Sequence, residues 1–104
     1  MKIDFNTELT DLDGKPIRES GADDAGNATL GFIAIQACLG SMKGDEEMSG
    51  EEKLKLYQIA SKIADGRKKK TAVDMPIEDV TEIKSRVGRM FTPAIVGPVY
   101  GLLD

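Results

Sequence analysis

A mainly α-helical fold with a small β part is predicted: an N-terminal β-hairpin packed on a bundle of three to four helices. Three stretches predict it. Thr29–Leu39 (TLGFIAIQACL) is the most apolar run in the first half of the chain. Residues 49–66 carry a helix start signal, an apolar stripe at helical spacing and a glycine at the end. Residues 2–18 alternate apolar and polar side chains around Asp13-Gly14. A chain of 104 residues makes a single domain, 1–104. At that size roughly 60–70% of the unfolded surface can be buried, enough for one modest core.

The hairpin is expected over residues 2–18. Ile3, Phe5, Thr7 and Leu9 have the period of a half-buried strand. A two-residue loop at Asp13-Gly14 would set Leu9 opposite Arg18. A three-residue loop, Leu12-Asp13-Gly14 with Gly14 left-handed, sets Leu9 opposite Ile17. The second is preferred because it puts two apolar side chains on one face, and register follows the apolar pattern. Pro16 cannot donate to a ladder, so its strand belongs at an edge. An isolated hairpin is barely stable in water, so this one must pack on the helices. Residues 19–28 (ESGADDAGNA) form a polar linker. Its Asp23 and Asp24 lack the rest of a calcium-loop ligand pattern.

The central helix is expected over 29–40. Leu30, Ile33, Ala34, Ala37 and Cys38 fall at helical spacing, and Phe32, Ile35 and Leu39 widen the stripe until it nearly encircles the axis. Such a helix must be covered on most sides. A buried strand would suit Phe32, Ile33 and Ile35, but the run exceeds the usual strand of about 4–8 residues. Asn27 or Thr29 can cap its start and Gly40 its end. A polar loop, 41–48, follows. The next helix is expected over 50–65: Ser49 and Glu52 have capping-box spacing, the first turn is acidic, Leu56, Ile59, Ala60, Ile63 and Ala64 make one stripe, and Gly66 ends it.

Asp74-Met75-Pro76 opens a third helix, 76–91, with Pro76 in its first turn. Ile77, Val80, Ile83, Val87 and Met90 or Phe91 form its buried stripe, with Lys84, Arg86 and Arg89 pointing elsewhere. Thr92-Pro93 starts a short fourth helix, 93–103, in which Pro98 predicts a kink or an early stop. Its apolar Ile95, Val99, Tyr100 and Leu103 are the candidate partner-binding residues, since an ending this apolar must dock on the body of the protein or on another subunit.

Several function classes are disfavoured by residue inventory. The chain holds no histidine and one cysteine, so His-dependent nucleophile pairs and a Cys/His zinc site cannot form. Carboxylates are plentiful, but none sits in an apolar context. No catalytic residue, metal ligand or cofactor is therefore expected, and the protein is read as a non-enzyme. A net charge of −4 argues against general nucleic-acid binding. That charge is uneven: residues 1–52 hold twelve acids and four bases, residues 53–104 six acids and ten bases. This polarity could steer a charged partner or favour head-to-tail self-association. The run Arg67, Lys68, Lys69, Lys70 is a candidate anion-binding loop, or a solvated cap on the carboxyl end of the preceding helix. No apolar run reaches the roughly 20 residues that span a bilayer. The buried, reduced Cys38 and the alternating N-terminus, which is unlike a signal peptide, point to the cytoplasm.

The stretches MKIDFNTELTDLDGKPI, SGEEKLKLYQIASKI and VDMPIEDVTEIKSRVG together resemble small proteins encoded by tailed bacteriophages and prophages. The resemblance spans most of the chain, with variable loops at 19–28, 41–48 and 66–72. The ending TPAIVGPVYGLLD is similar in kind to the apolar ends of those proteins, with Pro98 as a departure. It implies a virus-associated, non-enzymatic protein in the host cytoplasm or on a virion, and it assigns no functional residues. Two functions follow as expectations. One is an interaction or assembly protein that forms a homo-oligomer or engages a phage or host protein. The other is a host-directed inhibitor, using an acidic face that imitates nucleic acid or an anionic-nucleotide pocket at residues 67–70.

Overall fold

The computed structural model describes residues 1–17 and 26–104. Four helices dominate: α1 (Leu30–Leu39), α2 (Gly50–Lys69), α3 (Ile77–Met90) and α4 (Pro93–Leu103). Two short strands, β1 (Lys2–Ile3) and β2 (Val73–Asp74), pair antiparallel, with Lys2 opposite Asp74 and Ile3 opposite Val73. The fold is thus mainly helical with a small β part. α1 lies against both α2 and α3, and α4 packs on α3.

α1 is central because almost every side it presents is apolar. Leu30, Ile33, Ala34, Ala37 and Cys38 are all buried. Thr29 caps it, its Oγ1 accepting from the Phe32 amide at 3.1 Å. The next two amides are satisfied from the chain's beginning: Leu30 N donates to the Thr7 carbonyl at 2.9 Å and Gly31 N to the Phe5 carbonyl at 2.8 Å. The N-terminal segment therefore supplies acceptors that a helix start lacks within itself. A side chain at residue 31 would collide with the Phe5 carbonyl and the Arg67 stem, so this crossing requires glycine.

The N-terminal hairpin closes at Leu9–Ile17 in the expected register. Ile17 N donates to the Leu9 carbonyl at 2.9 Å, Asp11 N to the Lys15 carbonyl at 2.8 Å, and Gly14 is left-handed at φ 79°. Lys2 and Ile3, expected to belong to the same hairpin, pair instead with residues 73–74. The linker also ends in order rather than as a loop. Leu9 N reaches the Ala28 carbonyl at 2.9 Å, and Glu8 bridges to Thr29. Phe5 and Leu9 are fully buried under α1, each contributing about 1.5–3 kcal/mol. Arg18, Asp23, Asp24 and most of the linker lie outside the described residues.

Four expectations need correction. α2 does not stop at Gly66 but runs to Lys69, with Lys70 as its left-handed cap at φ 55°. Gly66 serves a close approach instead: a Cβ there would overlap the Val73 side chain of β2. Pro76 is the cap before α3, since its ψ of 150° is extended and Asp74 is held in β2. Ile77 then stands 66% exposed rather than in the buried stripe. α4, by contrast, spans the expected 93–103 with no early stop at Pro98, and the Asp104 amide reaches the Tyr100 carbonyl at 3.0 Å. Finally, Arg86 points inward and is only 3% exposed. None of the described helices is long and apolar enough to cross a membrane.

Candidate interaction surface

α4 carries no charged side chain between Pro93 and Leu103. It has two unlike faces. Val99 and Leu103 are buried in the core, and Ile95, Val96 and Tyr100 are half-buried against it. Tyr100 fixes this side: its Oη donates to the Lys84 carbonyl at 2.7 Å and occupies space that a side chain at Gly88 would fill. The Lys84 ammonium stands 5.0 Å from the Tyr100 ring centroid and pairs with the Asp104 carboxylate. The four residues expected to meet a partner, Ile95, Val99, Tyr100 and Leu103, are thus the side by which α4 is held to α3. An all-apolar helix gives no periodic sign of which side faces out, and of the two docking places the sequence allows, the body of the protein takes this side.

The outward face is made mostly of small residues and prolines, with Leu102 also exposed. Pro93, Ala94, Gly97 and Pro98 form one wall of a groove of about 690 Å³, and hairpin residues Thr10–Asp13 form the other. A second cleft, about 420 Å³, flanks the same helix between Gly88, Phe91, Val96 and the shared Pro93 and Gly97. At the rim of the larger groove Leu12 is fully exposed. Leu12 was read only as a turn residue. A leucine between two aspartates in a hairpin loop was the available signal, because turn chemistry favours polar residues there.

The basic run does not converge on one point. Arg67, Lys68 and Lys69 occupy the last turn of α2, so successive side chains leave the axis about 100° apart. The Arg67 stem packs over Gly31, Lys69 pairs with Asp65 at 3.2 Å, and Lys70 sits beyond the helix as its cap.

A third concavity, about 330 Å³, lies between the end of α1 and α2, lined by Cys38, Ser41, Asp45, Lys53, Tyr57 and Arg86 among others. Its floor is a built ion pair. Arg86 Nη1 and Nη2 donate to the two Asp45 carboxylate oxygens at 3.1 and 3.0 Å. Arg86 Nε donates to the Ala37 carbonyl at 2.6 Å and Nη2 also to the Gly40 carbonyl at 2.9 Å. These two carbonyls end α1 and lack helical partners, so Arg86 caps α1 from α3. Hydrogen bonds from Arg86, then from the Met42 amide at 2.8 Å, hold the Asp45 carboxyl below its ordinary 3.8. Burial pushes the Cys38 thiol up to about 11, against the opposing pull of Arg86. Cys38 is therefore a neutral, poorly nucleophilic thiol at physiological pH. Among the described residues no three His, Cys, Asp or Glu side chains stand close enough to hold a metal ion.

Comparison with known proteins returns no match: no family model, no curated protein and no solved structure is significantly similar to the chain.

Proposed function

We propose that this is a non-enzymatic, virus-encoded interaction and assembly protein. It docks another protein, either a second copy or a phage or host component, on the outer face of α4 and the adjoining hairpin tip. One observation carries the reading: a fully exposed leucine, Leu12, stands at the rim of an apolar groove on a helix without charges. Solvating such a face has a cost that covering it removes, and contiguous exposed apolar surface marks interaction sites. The polar machinery elsewhere favours the same reading, because Arg86 and Asp45 spend their hydrogen bonds on holding the fold.

The test uses Gly97→Leu. A Cβ there meets nothing within 4 Å beyond its chain neighbours, so a leucine can extend into the groove. Because residue 97 precedes Pro98, where a Cβ strains helical backbone, Ala94→Leu at an exposed position of the same wall serves as a second variant. The expected result is that tagged wild-type protein recovers a partner from infected host cells, or shows a dimeric native mass, and that Gly97→Leu and Ala94→Leu each lose it while still unfolding cooperatively. Recovery and mass that are indifferent to Gly97→Leu would sink the reading.

A second reading, a host-directed inhibitor presenting an acidic face, is favoured by the exposed Glu46, Glu47, Glu51 and Glu52, which crowd the start of α2. Its discriminating observation is inhibition that vanishes on reversing Glu51 and Glu52 to lysine and survives Gly97→Leu.

A further inference from the structure

We infer that the groove between α4 and the hairpin tip takes a short segment of a partner protein in which an apolar side chain stands beside lysine or arginine. This rests on the docking role proposed above and adds the chemistry of the occupant. Size and shape come first. The groove, about 690 Å³, falls in the range of about 300–1,000 Å³ typical of ligand sites. Ala94 and Gly97 leave it open down to the helix backbone, and Pro93, Pro98 and Leu12 give it apolar walls. An apolar side chain can enter there without taking any charge of α4 out of water.

Charge then decides between occupants. Among the described residues, Asp11 and Asp13 are the only charged ones lining the groove, and none lines the neighbouring cleft. Asp11 Oδ1 is engaged by the Asp13 and Lys15 amides at 2.9 and 3.0 Å. The Asp13 carboxylate accepts no hydrogen bond among the described residues and stands exposed beside Leu12. The amino end of α4 adds only a partial positive charge on the opposite wall. A second copy related by a two-fold axis could exchange Leu12 side chains between grooves. It would also gather two copies of Asp11 and Asp13 at the contact, with no cation among the described lining residues to offset them. A segment that brings its own lysine or arginine turns the same carboxylates into attractive partners.

The experiment is fluorescence anisotropy with a short dye-labelled peptide of alternating leucine and lysine, set against a matched leucine–glutamate peptide. The lysine peptide is expected to bind and to weaken as salt rises. Gly97→Leu, Ala94→Leu and Asp13→Lys should each weaken it by about tenfold or more, with cooperative unfolding retained in all three. Equal binding of the glutamate peptide, indifference to Asp13→Lys, or binding of neither peptide would overturn the inference. So would a wild-type dimer that Gly97→Leu dissolves, since the occupant would then be a second copy. Each of these results leaves the docking role standing wherever Gly97→Leu still abolishes partner recovery or the dimeric mass.

Discussion

Arg86 on α3 and Asp45 in the loop after α1 meet in a two-pronged ion pair, at 3.1 and 3.0 Å, across 41 residues of chain. The same guanidinium also closes the end of α1 through the Ala37 and Gly40 carbonyls. One side chain thereby ties α1, α3 and the loop between α1 and α2 into a single arrangement.

Replacing Arg86 with methionine keeps the stem and removes every one of these donors. Two carbonyls then lose their partner, and the part-buried Asp45 carboxylate keeps only the Met42 amide. The expected loss is about 1–3 kcal/mol, from leaving the α1 carbonyls without a donor. Urea denaturation measures it as a lower midpoint with an unchanged slope.

The pH dependence of Asp45 has a definite sign. Its folded carboxyl titrates below the ordinary 3.8, so the unfolded chain takes up a proton first as pH falls. Its contribution is complete above 3.8 and disappears as pH drops through the lower folded value. Asp45→Asn should therefore be less stable than wild type at neutral pH, and the gap should close below pH 3.8. Paired melting curves across that window check this. A gap that persists in acid would show that the carboxylate is not what Arg86 requires.

Cys38 should resist modification. With its thiol at about 11 instead of 9.0, the thiolate fraction at a given pH falls by about a hundredfold, before burial is counted. A thiol reagent such as dithionitrobenzoate at mild alkaline pH should react with the native protein at least about a hundredfold more slowly than with the urea-unfolded chain.

Two glycine-to-alanine changes should move stability in opposite directions, although both lie in helices. Gly101 on α4 faces open space, so alanine there should add about 0.5–1 kcal/mol through helix propensity. Gly66 on α2 faces the Val73 side chain, so alanine there should cost about 1–3 kcal/mol by overpacking. Adding Val73→Ala to Gly66→Ala should recover part of the overpacking loss, which a double-mutant cycle in chemical denaturation would read.

The legible parts of the fold are those written locally. Thr29 and Ser49 announce their helices within three residues, and the apolar stripes of α1 and α2 repeat every turn. Arg86 was illegible because an arginine in an amphipathic helix is assigned to solvent by default, and its partner Asp45 is remote in sequence. The β1–β2 pairing was illegible because two residues on each side hold no pattern. Gly66 was misread as a stop because its use depends on Val73, seven residues on. The candidate site was partly legible. The sequence marked α4 as the segment of interest, but selecting Ala94 and Gly97 over Val99 and Leu103 required knowing which side α3 covers.

The pairing of Lys2 with Asp74 sets an order of events during synthesis. Lys2 and Ile3 cannot find their strand partners until Val73 and Asp74 have been made. Until then the Phe5 and Leu9 stretch can engage α1 and α2, which precede β2 in the chain. Because such distant pairings are slow to form, the late closure of this stitch should limit how quickly the newborn chain matures.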